Sequence, residues 1–243
     1  MKFILKICLT ILIVISLLVF SVLIQNVDPV QKNTVSNPHM FADTLGVRSY
    51  DLDSLLKIIG TNKGLPPGFE VAGAIAYSAF PELKDVEINM VLINGGAPME
   101  SRPEISTLLG MRKNRRYVIL LNNEQPSYFE PILLRSLPFD AQVGILAHEL
   151  GHVVYYQQLN ILQIGKWGLK YLRDDDFRAK HERSTDLMPV YHGLGSQIYQ
   201  YAYFVRRDST CKAFYEQDKD FMDTYYMTDK ELADELMMLK SGF

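Results

Sequence analysis

His148, Glu149 and His152 form the pattern His-Glu-x-x-His. On a helix, positions i and i+4 lie one turn apart on the same face. Two imidazoles placed in this way can converge on one ion, and such donors suit tetrahedral zinc at about 2.0–2.1 Å. Glu149 follows the first histidine and cannot point along the same line. Its carboxylate can instead reach a water held by the ion and take its proton, the chemistry of zinc-assisted hydrolysis. Val143, Leu146, Ala147, Leu150, Val153 and Val154 leave little polar surface on a helix spanning 140–159, so that helix is expected inside the domain. There, two imidazoles and a carboxylate are costly to bury unless something satisfies them.

The remaining ligand has to come from elsewhere. The extended pattern, with glycine three residues after His152 and histidine three further on, is absent, because Tyr155 and Gln158 occupy those places. A cysteine ligand in a Glu-Gly-Cys setting is absent too, since Ser209-Thr210 precede Cys211. Downstream, His181-Glu182-Arg183-Ser184-Thr185-Asp186 puts two carboxylates at i and i+4. One of them can bind the ion while the other holds the far N–H of a ligating histidine. Open catalytic zinc sites often combine two His and one Glu with water in the fourth place.

Over 140–186 the two motifs resemble the gluzincin branch of the zincin metallopeptidases, in which a second helix supplies Glu within Glu-x-x-x-Asp. The segment 72–186 is also similar to small membrane-anchored bacterial zincin-like proteins without assigned substrates. The gluzincin resemblance implies that His148, His152 and Glu182 bind one zinc ion, that Glu149 is the general base, and that Asp186 orients a ligand. His181 stands where that branch carries Asn, which makes it a rival third ligand. Neighbouring helical residues diverge by about 100°, so only one of the pair should face the ion. Glu182 is preferred, because Asp186 shares its face. For an oxyanion donor, His192, Tyr191, Tyr155 and Tyr156 come within reach, with His192 the first choice. A histidine packed at a helix end is its plainer reading.

The elements that must position these groups are legible in outline. Helical spacing covers 51–59 before Gly60, and 69–80 before Pro81. Val86–Ile93 alternates as a strand, and Tyr117–Leu121 is a second one. Ser101 and Glu104 have capping-box spacing for a short helix ending at Gly110, and Thr228 with Glu231 for a terminal helix. Asp140 is expected to cap the metal helix. A further helix is expected from Lys180 to Met188. The later aromatics, among them Tyr199, Phe204, Phe221 and Tyr226, read as core. Arg112, Lys113, Arg115 and Arg116 read as a solvated turn, and Asp174-Asp175-Asp176 as a solvated bend lacking calcium-loop spacing. The expected fold class is therefore α+β and zincin-like, a small twisted sheet beside the metal helix with a helical C-terminal part. An edge strand of such a sheet can bind extended peptide as an added strand.

Across 243 residues, 48% are hydrophobic and 22% charged, a balance that builds a full core. A net charge of −3 supplies no basic field for nucleic acid. Cys8 and Cys211 cannot make a disulfide framework. Ile7 to Ile24 is uncharged and reaches the roughly 18 residues at which a membrane-spanning helix becomes the default reading. Lys2 and Lys6 precede this run and Asp28 follows it, so the lysines should stay cytoplasmic and the remainder lie outside. A cleaved signal peptide, and hence a secreted protein, is the alternative. Residues 25–44 read as a polar tether and 45–243 as the domain. The expected function is a zinc peptidase acting on peptide or protein outside the cytoplasm. Its rivals are a non-catalytic zinc-stabilised scaffold of the envelope and an amidase for a non-peptide substrate. An intramembrane protease is disfavoured, because the metal motif lies outside the single apolar run.

Overall fold

The computed structural model describes residues 51–124 and 128–241. The expected anchor 1–24 and tether 25–44 lie outside the described residues. Among the described residues no helix is long and apolar enough to cross a membrane.

Chain order begins with α1 (Leu52–Ile59), the short β1 (Lys63–Gly64), α2 (Glu70–Ser78) and β2 (Ile88–Asn94). β3 (Met99–Pro103) and β4 (Tyr117–Glu124) complete a four-stranded sheet of order β1-β2-β4-β3. β1, β2 and β4 are parallel, and β3 returns antiparallel at the edge with Ser101 opposite Ile119. Ser101 is thus a strand residue. The helix expected after its capping-box spacing shrinks to a 3-10 turn over Ile105–Thr107. The reason is tertiary: pairing with β4 supplies the backbone partners that a helix would have used.

After the sheet the chain is helical: α3 (Phe139–Gln158), α4 (Ile161–Arg173), α5 (Asp175–Pro189), α6 (Gly195–Arg207), α7 (Lys212–Tyr225) and α8 (Asp229–Lys240). The fold is mixed α and β, with helix predominating. α3 is the central member, and Ala147, Leu146, Leu150 and Val153 are fully enclosed in the main core with Ile88, Ile119 and Leu121 of the sheet. Pro138, rather than Asp140, occupies the N-cap position of α3, and Asp140 is buried in the first turn. Two glycines let neighbours approach α3. A Cβ on Gly144 would stand 2.3 Å from Gln197 O of α6, and one on Gly151 would stand 3.0 Å from Thr185 Cγ2 of α5. Both helices therefore pack closer to α3 than a side chain there would allow.

Several polar groups serve the helix ends. Arg115, expected on a solvated turn, is buried and donates from Nη1 to Leu159 O (2.9 Å) and Tyr156 O (3.3 Å), satisfying carbonyls at the C-terminal end of α3. Asp174, expected in a solvated bend, caps α5 by accepting from the Phe177 N–H at 2.9 Å. This cap starts α5 a turn before the Lys180 expected from the sequence. Thr228 and Glu231 form a complete capping box on α8. Cys211 is a buried free thiol, and its burial pushes the pKa up to about 11.

Candidate metal centre

α3 offers His148 and His152 from one face, and α5 brings Glu182 against them. All three side chains are buried, and one ligand atom from each lies within 4.8 Å of the other two. Glu182 Oε2 is 3.3 Å from His148 Nε2 and 3.5 Å from His152 Nε2. Two donors about 2.0–2.1 Å from a tetrahedral ion stand roughly 3.3–3.4 Å apart. The donor set and its spacing therefore fit a single ion of that size, and the triad could hold one.

Each group has its other polar atom engaged. His148 Nδ1 lies 2.8 Å from Asp186 Oδ1, and Asp186 Oδ2 accepts from the Met227 N–H at 2.7 Å. His152 Nδ1 lies 3.1 Å from His181 Nε2. For each Nε2 to present a lone pair, its Nδ1 must carry the proton and donate it to these partners. His181 can accept, because burial and the neighbouring His152 hold its pKa down to about 4 and keep it neutral. Glu182 Oε1 accepts from the Tyr171 hydroxyl at 2.5 Å, which leaves Oε2 facing the histidines. His181 thus backs a ligand rather than converging with the triad.

The electrostatics follow from this crowding. Burial opposes charge on His148, but hydrogen bonds to Asp186 and Glu182 outweigh it and raise the pKa well above the usual imidazole range. Burial likewise opposes charge on Glu182, but nearby His152 and hydrogen bonds from both histidines hold it far below the usual carboxylate range. In the metal-free site the His148 proton balances the Glu182 charge, and a metal ion would take that proton's place.

Glu149 is buried beside the triad. Ser101 Oγ lies 2.9 Å from the Glu149 carbonyl oxygen and also contacts its Oε2. One hydroxyl holds a single proton, so it donates to one of these oxygens at a time. The edge strand is thereby joined to this carboxylate. The Ser101 contact had no local signal, because 48 residues separate the partners. Tyr171 and the Met227 amide were unforeseen for the same reason. Tyr226 was unforeseen too, its ring centroid 6.0 Å from His148 and its hydroxyl proton held by burial and by nearby Glu182.

His192, the first-choice oxyanion donor, is placed elsewhere. It sits in the irregular turn Val190–Leu194, stacked 4.2 Å over Phe80. Its Nδ1 lies 2.7 Å from Met188 O, and its Nε2 lies 2.8 Å from Glu82 Oε1. Both ring nitrogens are taken up by these partners, and Gly193, at φ 80°, lets the chain turn there. Neither a family model, nor a curated protein, nor a solved structure matches this chain.

Proposed function

We propose that this chain is a zinc-dependent peptidase that works outside the cytoplasm, held at a membrane by residues 7–24. The observation that carries the reading is the convergence of His148, His152 and Glu182, with Glu182 Oε2 3.3 and 3.5 Å from the two Nε2 atoms. With it goes the Glu149 carboxylate, next to His148 in the chain and held by Ser101 rather than by the triad. His148, His152 and Glu182 would hold the ion, and Asp186, His181 and Tyr171 would keep their donor atoms aimed. When bound, zinc supplies Lewis acidity, which polarises the scissile carbonyl and makes water more acidic at neutral pH.

The remaining chemistry belongs to this chain. The Glu149 carboxylate accepts a proton from the incoming water and returns it to the leaving amine nitrogen. Ser101 orients that carboxylate through Oε2. β3 is the antiparallel edge of the sheet among the described residues, and extended peptide would add along that edge. His192 has no part in this reading, since Glu82 and Met188 occupy its nitrogens.

Glu149→Gln tests the proposal. The amide preserves shape and leaves all three donors in place, so zinc should still bind with unchanged stoichiometry. Hydrolysis of a peptide library should fall by about 10²–10⁴, the worth of a general base. Zinc content and turnover are measured on the same preparation. If Glu149→Gln turns over peptide as fast as the unmodified chain, the peptidase reading fails and a zinc-stabilised scaffold takes its place.

A further inference from the structure

α4 is amphipathic in an unusual sense: its inner face packs and much of its outer face is apolar. Trp167 and Tyr171 turn inward, their rings close to His181 (centroids at 5.0 and 6.0 Å). Leu162, Leu169 and Leu172 turn outward, 75%, 56% and 77% exposed. At 100° per residue these three fall in one sector, with Gly165 between them and Lys166 and Arg173 on its border. A second segment presents the same chemistry. Leu109 is 91% exposed and Met111 62%, next to Arg112 and Lys113. The two segments are tied together, because Arg112 donates to Gln158 O (3.3 Å) and Arg115 to Leu159 O (2.9 Å) at the entry to α4.

Monomeric soluble domains rarely leave so many large side chains clustered in water. Within the two segments the charge is one-sided, although Glu104 precedes the first and Asp174 to Asp176 follow the second. Neither 105–116 nor 161–173 contains a carboxylate, although the chain as a whole carries −3. Lys170 is matched by Asp174 (3.8 Å) and Arg116 by Glu104 (2.8 Å), but Lys113, two residues after Met111, and Lys166 and Arg173, beside the leucines, have no ion-pair partner among the described residues. Apolar side chains interleaved with cations suit an interface where hydrocarbon lies beneath negative headgroups. A protein partner of matching shape would not require the absence of carboxylates from both segments.

We infer that α4 and the 105–116 loop form a face that lies on an anionic lipid surface, with Leu162, Leu169, Leu172, Leu109 and Met111 entering the headgroup layer. The orientation rests on the reading that residues 7–24 anchor the chain, since the intervening 25–50 can span at most about 90 Å. It also deepens the functional proposal. Through Trp167 and Tyr171, α4 abuts the residues that back the metal ligands, so docking sets the centre close to the bilayer. Substrates would then be membrane proteins cut near their point of exit, or peptides held at the lipid surface.

The test uses the full chain in nanodiscs made with or without phosphatidylglycerol, the remainder being phosphatidylcholine. Cys8 is replaced by Ser, and buried Cys211 stays unreactive. An environment-sensitive fluorophore is attached at Leu109→Cys, Leu162→Cys or Leu169→Cys, with Glu216→Cys on α7 as the outside control. In phosphatidylglycerol discs the first three labels should shift to the blue and be quenched by lipid-borne quenchers, while position 216 remains water-exposed. The double variant Lys113→Gln/Lys166→Gln should lower the ratio of shielded to exposed label roughly 25-fold at low salt, about fivefold per cation. Labels at 162 and 169 as wet as the one at 216 would overturn the inference. So would shielding in lipid-free detergent: if it rises with protein concentration, the occupant is a second copy, and if it is constant, residues 1–50 of the same chain. Turnover plays no part in this readout, and resistance of the intact chain to carbonate extraction tests the anchor separately. Failure of the peptidase reading is therefore distinguishable from failure of this one.

Discussion

Gly151 lies between the two histidines, and replacing it with alanine isolates how closely α5 must approach α3. A Cβ there would stand 3.0 Å from Thr185 Cγ2, 3.1 Å from Met188 Cβ and 3.2 Å from Met188 Cγ. Ordinary carbon contacts are about 3.5–4.0 Å, so α5 has to retreat by roughly half an ångström. Thr185 cannot simply rotate away, because it is buried and its hydroxyl donates to His181 O at 2.9 Å. Met188 offers little relief either, since the crowded atom is its Cβ. Overpacking of this kind costs about 1–3 kcal/mol, offset by about 1 kcal/mol of helix propensity gained on replacing glycine. The metal-free chain should therefore lose between about 0 and 2 kcal/mol. Zinc binding should suffer more, because metal sites tolerate only about 0.2 Å of ligand displacement. Restoring the 3.3 and 3.5 Å spacings of Glu182 brings back the clash that retreat had relieved, so Kd should rise about 5–30-fold. Chelator competition measures the affinity, and chemical denaturation in EDTA measures the stability of the same protein. Undiminished zinc affinity in Gly151→Ala would refute the argument that close helix approach sets the ligand geometry.

Further outcomes follow from individual contacts. Asp186→Asn must set its amide N–H₂ against either the Met227 N–H or the His148 Nδ1–H, so zinc affinity should fall about 10–100-fold in the same competition assay. Ser101→Ala removes the hydroxyl on Glu149 without touching a ligand, so zinc affinity should hold while kcat falls and its pH profile moves. Zinc affinity should rise with pH: the raised His148 proton must leave before Nε2 can bind, so calorimetry in buffers of different ionisation enthalpy should detect proton release. Without metal the sign reverses. The stabilisation from protonated His148 is present below the ordinary imidazole range and is lost as pH rises through its elevated folded value, so EDTA-treated protein should weaken over that interval.

Periodicity made the donors of this site legible. His148 and His152 are four apart, as are Glu182 and Asp186, and any helix puts such pairs on one face whatever surrounds it. The buried character of α3 was likewise visible, because its apolar residues run almost all round. The strands β2 and β4 showed as alternation and as an apolar run, and the capping box on α8 as Thr228 with Glu231. These are local properties, carried by spacings of a few residues.

What only the tertiary structure decided is which group meets which across the gap between elements. Spacing left His181 and Glu182 as rivals. The crossing of α5 over Gly151 turns Glu182 towards the imidazoles and sends His181 behind His152. Ser101 read as a helix cap until pairing with β4 made it a strand residue facing Glu149. Arg115 read as a solvated turn until the end of α3 supplied carbonyls for it. His192 lay close enough in sequence to suggest a role, yet Phe80 and Glu82, more than a hundred residues away, hold its ring. Helical and strand periods determine the direction of a side chain relative to its own axis. The partner it finds depends on how two axes cross, and that is set by packing between residues far apart in the chain.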